Sequence, residues 1–65
     1  MKIGQKVRLI GEFAGLPGGT TGQVVGLEAG GSLIRVMWQI PGREGKKPVF
    51  HLFTLEEYQK LLQEI

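Results

Sequence analysis

Few side chains in this 65-residue sequence could carry out a reaction. Nucleophilic catalysis requires a hydroxyl or thiol, a base within hydrogen-bonding distance, and a group that orients the base. The sequence has no cysteine and no aspartate, and its candidates are Ser32, three threonines and a single histidine, His51. A triad would have to take a glutamate from elsewhere in the chain as its third member. We therefore expect no catalytic residues and no enzymatic activity.

Metal and cofactor chemistry has equally little support in the sequence. A zinc site needs three or four nitrogen or sulfur donors, and one histidine without cysteine does not supply them. The glycine-rich stretch 15–21 resembles a phosphate-binding loop, but it lacks the Gly-Lys-Ser/Thr ending and precedes a strand instead of a helix. Glu56 and Glu57 are adjacent carboxylates that favour the first turn of a helix through its dipole. The sequence predicts no cofactor and no metal.

The charges are divided unevenly along the chain. Eight Lys and Arg against six Glu give a net charge of +2, but residues 1–48 hold seven of the bases and residues 49–65 hold three of the acids. The front part is therefore cationic and the tail acidic. Charged residues near the amino terminus interrupt any apolar run that could cross a membrane or act as a leader. We expect a cytoplasmic protein that does not bind membranes.

Alternation of polar and apolar residues predicts strands at residues 5–10, 21–27, 33–40 and 49–52. In the third strand Ile34, Val36, Trp38 and Ile40 share one face, which should be the core. Leu33 and Met37 share the other face and need cover from another element or another molecule. Gly22 and Gly26 permit a bend of the kind that small barrels require. The expected architecture is one domain, 1–65, with a barrel over about 3–53.

A helix should follow the last of these strands. Thr54-Leu55-Glu56-Glu57 has the capping-box pattern, in which Thr54 and Glu57 cap each other's backbone amides. Apolar residues then recur at helical spacing as far as Ile65, which predicts one amphipathic helix over about 55–65. Such a short helix needs tertiary packing. It can dock across an open end of the barrel or over Leu33 and Met37.

Two loops carry the candidate binding residues. Phe13 and Leu16 lie in a glycine-rich loop, where they either fold down as a lid on the barrel end or bind a partner. Arg43, Lys46 and Lys47 lie in a proline-bounded loop that either is simply solvated or contacts a partner. Trp38 is expected in the core, and exposure near the barrel rim would instead favour a ligand contact.

The pattern of these segments resembles small bacterial SH3-like barrels. The resemblance covers residues 4–40, through Gly4-Gln5-Lys6-Val7-Arg8-Leu9-Ile10-Gly11, the stretch Gly19 to Val25, and Ile34 to Trp38. It implies a mainly β fold, an SH3-like barrel of four to five strands with one C-terminal α-helix packed on it. The group includes KOW domains, uncharacterised modules and small accessory subunits. KOW domains typically place Lys and Arg in the loop after the first strand, whereas this loop reads Glu12-Phe13-Ala14-Gly15-Leu16. One acid and two large apolar groups would meet phosphate badly, which counts against ribosomal RNA as the ligand.

These observations favour a small non-enzymatic module that binds another protein through Phe13, Leu16, Arg43, Lys46 and Lys47. The alternative is binding of RNA or DNA through the basic side chains of the loop and strand faces, namely Arg8, Arg35, Arg43, Lys46 and Lys47. A third hypothesis is self-association through Leu33 and Met37. The expected state is a monomer or a weak homo-oligomer.

Overall fold

The computed structural model describes residues 2–42 and 45–65. Five strands and one helix follow one another as β1 (Lys6–Leu9), β2 (Thr21–Glu28), β3 (Leu33–Gln39), β4 (Val49–Thr54), α1 (Leu55–Leu61) and β5 (Leu62–Glu64), with a 3₁₀ turn, Ala29–Gly31, between β2 and β3. The predicted mainly β fold, a small barrel-like sheet with a C-terminal helix, is confirmed.

The strands form one antiparallel sheet in the order β4-β3-β2-β1-β5. The first four strands are therefore a meander, and β5 returns to the free side of β1. A register shift between Val24 and Gly26 marks a bulge in β2. Bulges increase the local twist and bend of a strand. The bend helps the short sheet to wrap around one core.

The core consists of apolar side chains on the inner face of the sheet, together with two residues from the last 11 positions of the chain. Its fully or nearly fully buried members are Val7, Leu9, Val24, Ile34, Val36, Trp38, Phe53, Tyr58 and Leu62. The inward assignment of Ile34, Val36 and Trp38 is confirmed, while Ile40 is only partly buried at the edge of the cluster. The expected period of two therefore identifies most of this core.

The helix is shorter than its apolar pattern predicts, and the expectation of a helix over 55–65 is wrong for the last four residues. Helix α1 ends at Leu61, and the Leu62 amide hydrogen still donates to the Tyr58 carbonyl before the chain becomes extended. Residues 62–64 pair with β1, and the Ile65 amide hydrogen donates to the Lys6 carbonyl over 3.0 Å. The unpaired edge of β1 offers backbone partners that a longer helix would leave unsatisfied. Pairing with β1 therefore overrides the helical pattern.

The start of α1 matches the prediction. The Thr54 hydroxyl accepts from the Glu57 amide hydrogen over 3.1 Å, and the Glu57 carboxylate accepts from the Thr54 amide hydrogen over 2.9 Å. The flanking Phe53 and Tyr58 are both buried, so the helix docks on the core and not over Leu33 and Met37. Within the described residues, no helix is long and apolar enough to cross a membrane.

Trp38 fits into the core because the residue beside it on β2 has no side chain. Gly22 pairs with Trp38, and a Cβ atom at Gly22 would lie 2.7 Å from the indole Cε3 and 2.7 Å from the Met37 carbonyl oxygen. Both distances are shorter than van der Waals contact. A glycine is therefore required here by close packing, which the expectation of a bend at this position did not include.

We predict that Gly22→Ala destabilises the fold by about 1–3 kcal/mol, the usual cost of forcing an extra methyl group into a packed core. The measurement is urea denaturation followed by tryptophan fluorescence. Gly26→Ala on the same strand is the matched control, since its Cβ would meet Arg35 only at an ordinary 3.6 Å. Equal stability of the two variants would contradict the packing of Trp38 on Gly22.

A hydrogen bond joins the helix to the last strand. The Tyr58 hydroxyl donates to the Glu64 carboxylate over 2.7 Å. Burial, and then the neighbouring carboxylate, raise the pKa of Tyr58 well above its ordinary value near 10. The same hydrogen bond lowers the pKa of Glu64. The neutral phenol is thus the form that the folded protein stabilises.

Because the folded pKa of Tyr58 is raised, its contribution to stability is complete below the unfolded pKa of about 10 and is lost as pH rises through the folded value. Tyr58 is the only tyrosine, so the ultraviolet band of tyrosinate reports on it alone. We expect this band to appear at higher pH in the native protein than in urea. Glu64→Gln should bring the pH at which the band appears in the native protein closer to its value in urea. Ionisation of Tyr58 at the same pH in the native protein and in urea would refute the prediction, provided that circular dichroism shows an intact sheet in the native sample.

Candidate functional site

A cleft forms where the loop that enters β2 meets the loop that leaves β3. The pairing of Thr21 with Gln39 places both loops at the same end of the sheet. The first loop is held by two hydrogen bonds: the Thr20 hydroxyl donates to the Pro17 carbonyl within the loop over 2.7 Å, and the Gly19 amide hydrogen donates to the carbonyl of Leu9 in β1 over 2.8 Å. We call this site the loop cleft.

The loop cleft consists of two adjacent concavities of about 530 and 360 Å³. Both share Thr21, Gln39, Ile40 and Pro41, so they lie side by side. The larger also has Lys46 and Lys47 on its wall, together with Trp38, Pro48 and Val49. The smaller extends along Leu16 and Pro17 to Thr20. The lining is therefore mostly apolar, with two cationic groups on one side.

The predicted loop pair Phe13 and Leu16 forms a miniature hairpin. Their backbones exchange two hydrogen bonds of 2.8 and 2.9 Å across Ala14 and Gly15, which have φ angles of 51° and 82°. Positive φ at both central residues is the signature of a type I′ turn. Cross-strand partners have side chains on the same face, and both pack against the core. The structure thus has the lid arrangement, and Leu16 alone of the pair lines the loop cleft.

An aromatic cluster lies under the Phe13 side of this hairpin. The Phe13 ring lies 5.2 Å from the His51 ring, edge to face, and 5.1 Å from the Phe53 ring. The Trp38 indole N–H donates to His51 Nδ1 over 2.8 Å. Because Nδ1 accepts this bond, the proton of the neutral imidazole lies on Nε2. His51 therefore positions Trp38, which is only 4% exposed and contributes to the loop cleft.

The structure separates the remaining predicted binding residues. Arg8 donates to the Gln63 side chain over 2.6 Å on the β1–β5 side of the sheet. Arg35 donates to Glu28 over 2.6 Å on the outer face of β3. Lys46 and Lys47 lie together at the loop cleft. Arg43, which both binding hypotheses include, lies outside the described residues.

The groups considered for catalysis and metal binding have structural partners. The Ser32 hydroxyl donates to the Ala29 carbonyl over 2.8 Å in the β2–β3 turn. His51 accepts from Trp38, and Glu57 accepts from Thr54. Over residues 2–42 and 45–65, no group of three or more His, Asp or Glu side chains lies close enough to hold a metal ion.

The sequence interpretation missed Ile40, Pro41, Pro48 and Val49 as cleft residues. The signal that could have found them is the turn at residues 29–32, because a hairpin centred there brings residue 21 opposite residue 40, and the bulge in β2 moves its partner by one residue to Gln39. That register would have placed the end of the 11–20 loop beside the start of the 41–48 loop.

Comparison of the chain with protein-family models, with curated proteins and with solved structures finds no match.

We predict an energetic coupling between Trp38 and His51. A double-mutant cycle with Trp38→Phe and His51→Phe keeps an aromatic ring at each position and removes the donor or the acceptor. His51→Phe alone leaves the buried indole N–H unpaired, at a cost of about 1–3 kcal/mol. Once Trp38→Phe has removed that donor, the same substitution should cost less. Additive changes in the free energy of unfolding would show that the hydrogen bond contributes nothing.

Proposed function

We propose that this chain is a cytoplasmic, non-enzymatic binding module of the SH3-like barrel type, and that the loop cleft binds a segment of another protein. The observation that carries the proposal is the loop cleft itself, where the apolar side chains of Leu16, Ile40 and Val49 lie beside Lys46 and Lys47. Concave, mostly apolar surfaces with a few polar groups are the usual form of binding sites.

The lining favours a partner segment of defined chemistry. Apolar side chains of the segment would fill the concavities beside Ile40 and Val49, since burial of apolar surface supplies most of the affinity in such sites. Lys46 and Lys47 would attract acidic residues that flank the apolar ones, which guides the approach and sets the orientation. We therefore propose an acidic, apolar peptide segment as the ligand.

The positions of the basic residues favour protein over nucleic acid. Tracking a phosphate backbone requires several cations along one groove. Arg8 and Arg35 lie away from the loop cleft and are engaged by Gln63 and Glu28. Stacking platforms for bases are also lacking in the cleft as far as it is described, because its aromatic residue, Trp38, is buried. Binding of RNA or DNA is therefore the outcome to be tested against.

The test is selection of peptides from a random display library on the full chain, followed by titration of synthetic peptides. Trp38 is the only tryptophan and contributes to the loop cleft, so its fluorescence reports occupancy. We expect selected peptides to combine Asp or Glu with apolar residues. The double variant Lys46→Glu/Lys47→Glu should weaken their binding on the order of tenfold.

The matched control is Lys2→Glu/Lys6→Glu, which makes the same change in net charge at two exposed lysines that do not line the cleft. Its affinity for the peptides should equal that of the unmodified chain. Equal losses in both double variants would indicate a general charge effect and refute the site. Binding of oligonucleotides with a steep salt dependence, and no peptide selection, would replace the proposal with the nucleic-acid alternative.

A further inference from the structure

Strand β4 has an unpaired edge whose hydrogen-bonding groups can be identified. In an antiparallel sheet, the N–H and C=O of successive residues point to opposite sides of the strand. The Val24 amide hydrogen donates to the Gln5 carbonyl over 2.9 Å, so Val24 is directed toward β1. Its neighbour Gln23 is therefore directed toward β3, where it pairs with Met37. Met37 is in turn directed toward β2.

The same alternation continues into β4. Because Met37 is directed toward β2, Val36 is directed toward β4 and bonds with its partner His51. Phe50 and Leu52, on either side of His51, then direct their N–H and C=O groups away from β3. Strand β4 is at the end of the sheet order, with no further strand beside it in the described chain. These four backbone groups are the exposed template of the edge.

The edge is limited on both sides. Pro48 precedes β4 and has no amide hydrogen to donate. At the other end, the Thr54 amide hydrogen is occupied by the Glu57 carboxylate. Phe50 and Leu52 are thus the only residues of β4 that offer both an outward donor and an outward acceptor.

We propose that a second copy of this chain pairs with β4 about a twofold axis, with Phe50 opposite Leu52 of the second copy. In this register the two residue pairs exchange four backbone hydrogen bonds, two for each pair. A register centred on Phe50 would set Leu52 against Pro48, and one centred on Leu52 would set Phe50 against Thr54. Only the register centred on His51 satisfies the edge.

The side chains on this edge suit the same partner. Phe50 is 43% exposed and Leu52 is 47% exposed, and both point to the outer face of the sheet. The nearby charge of Arg35 is balanced by Glu28, and its guanidinium lies 6.0 Å from the centre of the Phe50 ring. The surface is therefore apolar and locally neutral. A twofold interface needs such a patch because the same surface meets itself.

Charge complementarity supports the antiparallel arrangement. The proposed register brings the segment just before β4, which holds Lys46, toward the first turn of α1 in the second copy, which holds Glu56. Lys47 and Glu57 flank these positions, and all four side chains belong to exposed residues. Lys60 of the same helix pairs with Glu56 over 2.9 Å, and Glu57 leaves this end of α1 with a net negative charge, so groups of opposite net charge meet at each end of the paired strands. Neither Phe50 nor Leu52 lines the loop cleft, so this inference does not rest on the proposed function.

Self-association can be tested on the unmodified chain. Sedimentation velocity should show a reversible monomer–dimer equilibrium whose dissociation constant rises with salt. Amide hydrogen exchange by NMR should show the Phe50 and Leu52 amides gaining protection as protein concentration rises. The His51 amide, already bonded to β3, should not change. A monomer at every concentration up to the millimolar range would overturn the proposal.

Variants test the register. Phe50→Lys/Leu52→Lys should raise the dissociation constant by about tenfold or more, because like charges would face each other across the twofold axis. Ile3→Lys/Ile10→Lys adds the same charge at two exposed apolar residues away from β4 and should dimerise normally. Thermal unfolding confirms that each variant is folded.

The decisive variant is Phe50→Lys/Leu52→Glu. In the proposed register each new lysine faces a new glutamate, so dimerisation should be stronger than in Phe50→Lys/Leu52→Lys and should weaken with salt. Registers centred on residue 50 or on residue 52 would set like charges against each other. Dimerisation of the two-lysine variant equal to that of the unmodified chain would refute the β4 interface.

Discussion

The packing of Trp38 against Gly22 is the contact on which the rest of the structure depends. The missing side chain at Gly22 lets the indole lie against β2 and complete the core. From that position the indole N–H bonds to His51, and the His51 ring supports Phe13 of the loop hairpin. The core contact, the lid and the loop cleft are thus one connected set of side chains. A small core gives each such contact a large share of the total stability.

The last strand of the chain covers the edge of the sheet that the four-stranded meander leaves open. The first four strands leave β1 with an open edge, and residues 62–64 cover it after a helix of two turns. The hydrogen bond between Tyr58 and Glu64 joins the helix to that strand. Closing β1 leaves β4 as the longer unpaired edge. The sheet thus covers the β1 edge with the short β5 and exposes the longer β4 edge, where Phe50 and Leu52 lie.

The two proposed binding surfaces use different parts of the same sheet. The loop cleft is at one end of the sheet, and its ligand would be recognised mainly by side chains. The β4 edge is recognised mainly through backbone groups, so its specificity depends on which residues can donate and accept. Pro48 has no amide hydrogen to donate and Glu57 occupies that of Thr54, so Phe50 and Leu52 remain as the residues of β4 that can do both. The lysines before β4 lie near both surfaces, which would make dimerisation and ligand binding sensitive to the same ionic conditions.

The sequence determined the local structure: the four alternating strands, the capping box at Thr54, the inward face of β3 and the turn between β2 and β3. These follow from side-chain periodicity and from hydrogen bonds between near neighbours. Only the tertiary structure decided that residues 62–64 form a strand, that Gly22 is required by Trp38, and that Leu16 and Ile40 share a cleft. Each of these depends on contacts between residues distant in the chain, and an amphipathic segment such as 61–65 is compatible with helix or strand until a partner edge selects one.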